Sequence, residues 1–193
     1  MRREEDGLRT VWRLTIRLTG VMPVVWRTIL VQPETKLATL HRYLQAAMGW
    51  YGQHLFSFSI GGRAYEIPDR EWPTDRKIYD ARRYTLARLF PTIPTRFGYL
   101  YDFGDQWEHI VEIETAEGAE ARKQYPVCVA GAESCPPEDC GGPEGYRDFI
   151  AALRDPRHPD HAEVRAWAAD RDPADFHPPI ATRAMRRVQR RLS

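Results

Sequence analysis

Lysine is nearly missing from this chain: Lys36, Lys77 and Lys123 stand against 25 arginines. Cysteine is scarce too, with three in 193 residues, which excludes a disulfide-stapled secreted scaffold. No run approaches the roughly 18 apolar residues of a membrane helix, and the N-terminus MRREEDGLRT carries no apolar signal core. A soluble protein with reduced thiols, no membrane partner and a cytoplasmic location is the expectation. The chain also lacks H-E-x-x-H, a Walker loop, G-x-G-x-x-G and G-x-S-x-G. Nucleotide hydrolysis, dinucleotide binding and esterase-type chemistry therefore have no motif behind them.

What is present suits a globular fold. Hydrophobic residues make up 42% and charged residues 28%, enough apolar surface to build a core. The net charge of +1 conceals segregation. Residues 1–100 carry +7, residues 101–182 carry −11, and the last eleven residues carry +5. Arginine is the better partner for bidentate phosphate or carboxylate contacts. Two plainer explanations compete: a genome-wide arginine bias, and packing of the acidic half against the basic half.

Residues 11–19 alternate, with Trp12, Leu14, Ile16 and Leu18 on one face, and residues 25–32 are rich in β-branched side chains. Both predict strands. Residues 36–49 switch to helical spacing through Leu37, Leu40, Leu44 and Met48, with Thr35 as a candidate N-cap and Gly49 as a stop. A hairpin follows, 54–60 and 63–67 about Gly61-Gly62, then a polar loop over 68–84 and one or two helical turns at 85–90. A second hairpin joins 96–103 to 107–115 across Gly104-Asp105; Trp107, His109, Val111 and Ile113 give it no single clean face. Residues 116–145 read as irregular, and 145–155, 161–170 and 180–192 as helices. Strands first and helices later predict an α+β fold: an antiparallel or mixed sheet of two hairpin-containing halves, one central helix and a helical C-terminal part. One domain over 1–193 is expected, with a core of about 11–176 and a basic helical tail over 177–193.

Three groups of residues can carry chemistry. The turn from Tyr101 to His109 presents Asp102, Asp105, Trp107 and His109, and the loop Pro136-Pro137-Glu138-Asp139-Cys140-Gly141-Gly142 presents two more carboxylates. Together Tyr101, Asp102, Asp105, Trp107, His109, Glu138 and Asp139 form a candidate pocket for a divalent cation or acid–base work. The same residues also suit an ordinary hairpin tip and a solvated acidic loop. Cys128, Cys135 and Cys140, with His109, are candidate ligands for zinc or another divalent metal. Their C-x6-C-x4-C spacing is not that of a zinc ribbon, and free buried thiols are the alternative. Arg183, Arg186, Arg187, Arg190 and Arg191 fall at i, i+3, i+4, i+7 and i+8, one stripe of a helix. That stripe suits a nucleic-acid phosphate backbone or the chain's own acidic segment.

Val25-Trp26-Arg27, Leu40-His41, Gln45 to Trp50, His54-Leu55, the Tyr101–His109 segment and Cys135-Pro-Pro-Glu-Asp-Cys-Gly-Gly, in that order, resemble the Ri-plasmid open-reading-frame-three-like family. That family is also labelled an insertion-sequence passenger or "resolvase-like" protein. The resemblance runs from about Val11 to about Phe176. It implies an α+β fold and carries no established activity. The resolvase label implies DNA strand exchange, but neither a serine nucleophile in an arginine-rich site nor an Arg…His-x-x-Arg…Tyr set can be placed here. The expectation is a non-enzymatic binding or accessory protein tied to plasmids or mobile elements, contacting nucleic acid or another protein. The alternatives are a metal-assisted hydrolase built on the carboxylate cluster and a protein–protein interaction module, for which six tryptophans speak.

Overall fold

The computed structural model describes residues 9–69, 75–168 and 174–191. Its strands are β1 (Thr10–Leu18), β2 (Trp26–Val31), β3 (Phe56–Ile60), β4 (Arg63–Glu66), β5 (Ile78–Asp80), β6 (Thr95–Tyr101), β7 (Trp107–Gly118) and β8 (Val127–Ala132). Its helices are α1 (Leu37–Met48), α2 (Leu86–Leu89), α3 (Gly142–Arg154), α4 (His161–Ala168) and α5 (Pro178–Arg190). The strands form one sheet in the order β5-β4-β3-β6-β7-β1-β2-β8, antiparallel except where β4 meets β5. The expected α+β class is what the chain adopts.

The alternation in β1 buries Leu14, Ile16 and Leu18 as expected. On the opposite face Arg13 pairs with Glu117 and Arg17 with Glu112, both across the β1–β7 ladder. Part of the basic first half is thus neutralised by the acidic second half. Strand β7 corrects the register drawn from sequence: Trp107, His109, Val111 and Ile113 share one buried face, and Glu108 and Ile110 point out. A neutral buried imidazole continues an apolar row, so a histidine does not break the alternation. Two strands lie where loops were expected. β5 is a three-residue edge strand, and β8 is built from small residues, VCVAGA, with no aromatic or strict alternation to announce it. Helix α1 begins after Lys36 and not with Thr35 as a side-chain cap, and Gly49 ends it at φ 94.

Helix α1 covers the inward face of the central strands. His41 stacks on Phe56, and Gln45 donates to the Tyr99 hydroxyl at 2.8 Å. Helix α5 packs on α1 and β8 and is no appended tail. Ala181, Thr182 and Met185 are buried, Thr182 exchanges hydrogen bonds with the Cys128 backbone, and the Tyr43 hydroxyl donates to Gln189.

Arg27 is the most unusual core residue, 1% exposed, and its hydrogen-bond partners are backbone carbonyls. It donates to four carbonyls: Trp26 (2.7 Å), Ala47 at the end of α1 (3.0 Å), Ala132 (2.8 Å) and Glu133 (2.9 Å). Phe176 lies over the guanidinium at 3.7 Å, and Gly131 leaves room for that ring. Burial pulls the Arg27 pKa below its ordinary value, opposed by neighbouring acidic groups. Arg27→Met keeps the volume and removes every donor. We expect it to lower stability in urea unfolding by at least about 3 kcal/mol, because four carbonyls, one buried and three part-buried, lose their charged partner. A loss below about 1 kcal/mol would show that the carbonyls do not depend on it.

Candidate functional site

The β6–β7 turn and the loop after β8 meet. Asp102 follows β6 in left-handed backbone (φ 57), a conformation that aspartate tolerates better than most residues. Its Oδ1 accepts from the amides of Gly104 (2.9 Å) and Asp105 (3.4 Å), leaving Oδ2 directed at His54 Nδ1, 3.6 Å away. From the other side comes the segment 133–142. Trp50 Nε1 donates to the Pro136 carbonyl (2.8 Å). Glu138 receives the Tyr51 amide on one oxygen (2.8 Å) and the Tyr101 hydroxyl on the other (2.5 Å). The Gly141 amide donates to Asp105 Oδ2 at 3.3 Å. Gly142, at φ 68, lies so close to Asp105 that a Cβ would come within 2.3 Å of its carbonyl oxygen. The glycine pair after the acidic dipeptide is what lets the loop seat on the turn.

Tyr101, Asp102, Asp105, Glu138 and Asp139 are therefore gathered at one place. Tyr101 is the hub: its oxygen accepts from the amides of Gln53 (3.2 Å) and His54 (3.4 Å) and donates to Glu138. Burial, and then the Glu138 contact, push its pKa well above the ordinary tyrosine value. His54 is the member of this group that sequence reasoning misses. Its Nε2 lies 3.2 Å from Asp139 Oδ1 and its Nδ1 faces Asp102, so it bridges two carboxylates that are 37 positions apart. Its only sequence signal is its place in the His54-Leu55 pair of the family pattern.

Two members of the expected pocket belong elsewhere. Trp107 and His109 are buried in the core against Trp50, with ring centroids 5.8 and 5.5 Å from it. They point to the inward face of β7, behind the turn. The thiols are corrected as well. Cys128, Cys135 and Cys140 are free, and with His109 they do not converge into a ligand set. Burial raises all three thiol pKa values, Cys128 to about 11 and Cys140 to about 12, so they remain protonated small hydrophobes. Among the described residues, the group of three whose donor atoms lie within 4.8 Å of one another is His54, Asp102 and Asp139.

Two cavities flank this group. A cleft of about 1150 Å³ is lined by His54, Tyr51, Phe103, Arg42 and Arg191, among others. A pocket of about 340 Å³ is lined by His54, Glu138, Asp139 and Trp167. On the far side of α5, Arg186 and Arg190 line a groove of about 890 Å³ with Arg9, Arg122 and Lys123. Arg183, Arg187, Arg190 and Arg191 are exposed, and Arg186 is half-buried and donates to the Gln124 carbonyl. Among the described residues none of these five arginines has a carboxylate within 4 Å. Among the described residues the stripe does not pair with the chain's acidic segment.

The architecture is an α+β protein in which a mostly antiparallel sheet carries a turn-and-loop carboxylate cluster at one end and an arginine helix beside it. The chain belongs to the plasmid pRiA4b ORF-3-like family, whose model matches residues 10–180. It is 43% identical over 164 residues to the uncharacterised protein y4hQ of Sinorhizobium fredii (strain NBRC 101917 / NGR234), covering 84% of this chain and 83% of that one. It is similar in structure to the protein of unknown function MM3350 from Methanosarcina mazei Go1, with a TM-score of 0.81 and 28% identity, covering 89% of this chain and 96% of that one. No helix among the described residues is long and apolar enough to cross a membrane.

The buried histidines give the fold a pH signature. Burial lowers the His109 pKa from 6.5 to about 4, and burial with Arg42 nearby lowers His41 to about 3. The unfolded chain takes up protons below pH 6.5 that the folded state refuses. This stabilisation is complete above about pH 6.5 and is lost as pH falls toward 4. Unfolding free energy should decline over that window by up to about 1.4 kcal/mol per pH unit for each histidine. His109→Gln should remove one proton's share of the slope in urea titrations at several pH values; an unchanged slope would contradict the neutral buried imidazole.

Proposed function

We propose that this protein is a non-enzymatic binding or accessory protein of plasmids or mobile elements that contacts nucleic acid through α5. One observation carries the reading: the arginine stripe is free of carboxylate partners among the described residues, while Arg13 and Arg17 on the sheet are ion-paired. A guanidinium row without carboxylate partners among the described residues, exposed at Arg183, Arg187, Arg190 and Arg191, suits phosphate oxygens, which it meets bidentately and with release of counterions. The flanking groove with Arg9 and Arg122, and the cleft with Arg42, widen that surface on both sides of the helix. Exposed Tyr51 and partly exposed Phe103 in the cleft add aromatic faces on which unpaired bases stack. The family name agrees with a plasmid setting.

A mobility-shift titration on double-stranded plasmid DNA at several salt concentrations tests it. Retention should weaken as salt rises, and Arg183→Gln/Arg187→Gln/Arg190→Gln should reduce the log–log salt slope by up to about 2.7, at about 0.9 for each phosphate that is no longer neutralised. All three residues are exposed, so the fold should survive the change. No retention at low salt would contradict the reading and leave the stripe to an acidic protein partner.

A further inference from the structure

We infer that His54, Asp102 and Asp139 form a binding site for one divalent transition-metal ion. Ion binding here does not require the arginine stripe, although Arg191 of that stripe lines the same cleft as His54. Three donors from three different segments converge here: the stretch after α1, the β6–β7 turn and the acidic loop. Their ligand atoms, one from each residue, lie within 4.8 Å of one another; His54 faces Asp102 through Nδ1 (3.6 Å) and Asp139 through Nε2 (3.2 Å), and an ion takes one of these two nitrogens.

The chemistry of the donor set selects the ion. One imidazole with two carboxylates suits manganese or zinc, whereas magnesium and calcium favour oxygen alone. Asp102 is 8% exposed, and its two oxygens divide the work. Oδ1 is held by the Gly104 and Asp105 amides, which fixes the carboxylate and leaves Oδ2 for a ligand. Asp139 sits on the other side with a side chain 74% exposed, free to close on an ion by a small rotation. Its loop is held independently through Trp50 to Pro136, Tyr51 and Tyr101 to Glu138, and Asp105 to Gly141. Four braces on a loop whose acidic tip faces a buried carboxylate and an imidazole give the pre-organisation that a metal site needs.

His54 lines both the large cleft and the smaller pocket, and Asp139 lines the smaller one. An ion here therefore keeps open positions toward two cavities. Arg42 and Arg191 in the cleft wall favour an anionic oxygen at such a position. The site can bind an anion through the metal without any covalent step by the protein.

The test is a calorimetric titration of Mn2+ into the full chain, with thermal unfolding as a second readout. Manganese is chosen because it avoids thiols, so Cys135 and Cys140 do not compete. The expected result is one ion per chain and a rise in Tm on adding Mn2+. Asp139→Asn and His54→Gln should each weaken binding by at least about tenfold, the loss seen even for outer-shell partners of metal sites, and abolish the Tm rise. Both variants change side chains with solvent access, and their unfolding without metal checks the fold. Absence of saturable binding would overturn the inference, as would binding unchanged in both variants.

Discussion

A buried guanidinium held by backbone carbonyls organises this molecule. Arg27 on β2 reaches the end of α1, its own strand and the end of β8, and Phe176 closes over it. A cation taken out of water must be fully hydrogen-bonded or it is strongly destabilising. Here the partners are backbone carbonyls, so the charge fixes chain paths rather than side chains. The carbonyls of Ala132 and Glu133 are where the acidic loop departs from the sheet. The direction of that departure decides whether Glu138 and Asp139 face the β6–β7 turn or solvent.

From that anchor the site is built in layers. Trp50, just past the end of α1, holds Pro136 and packs on Tyr101, so the same indole touches both halves of the site. Tyr101 ties the stretch before β3 to Glu138, and the glycines at 141 and 142 let the loop lie against Asp105. The imidazole of His109, behind this surface, stays neutral and serves as filling. Two histidines in one neighbourhood thus have opposite environments: His109 is sealed in the core, and His54 sits between carboxylates at the cavity edge.

Much of the frame is legible in the chain. The β1 alternation, the 3.6-residue spacing of α1 and the glycine-marked hairpins are local signals, and they are right because local pattern and global fold agree there. β8 is hidden because Val-Cys-Val-Ala-Gly-Ala offers small side chains with a proline-rich neighbour, and its pairing with β2 is a long-range fact. β5 is too short to show a period. The carboxylates of the turn and the loop are visible as residue types, and their convergence is among the expectations. Which histidine joins them is not, since His54 and His109 look alike until the β7 register is known. The arginine stripe is evident as one helical face, but its anchoring by Ala181, Thr182 and Met185 on β8 and α1 depends on packing that spacing alone does not show.

The acidic loop is locked onto the aromatic turn, and the contact between Tyr101 and Glu138 is the most direct link between them. A double-mutant cycle on Tyr101→Phe and Glu138→Gln, read by urea unfolding of the full chain, measures that link alone. The structure predicts a coupling free energy of about 1 kcal/mol or more, within the range of groups in direct contact. Additivity of the two substitutions to within about 0.3 kcal/mol, as for distant sites, would contradict it.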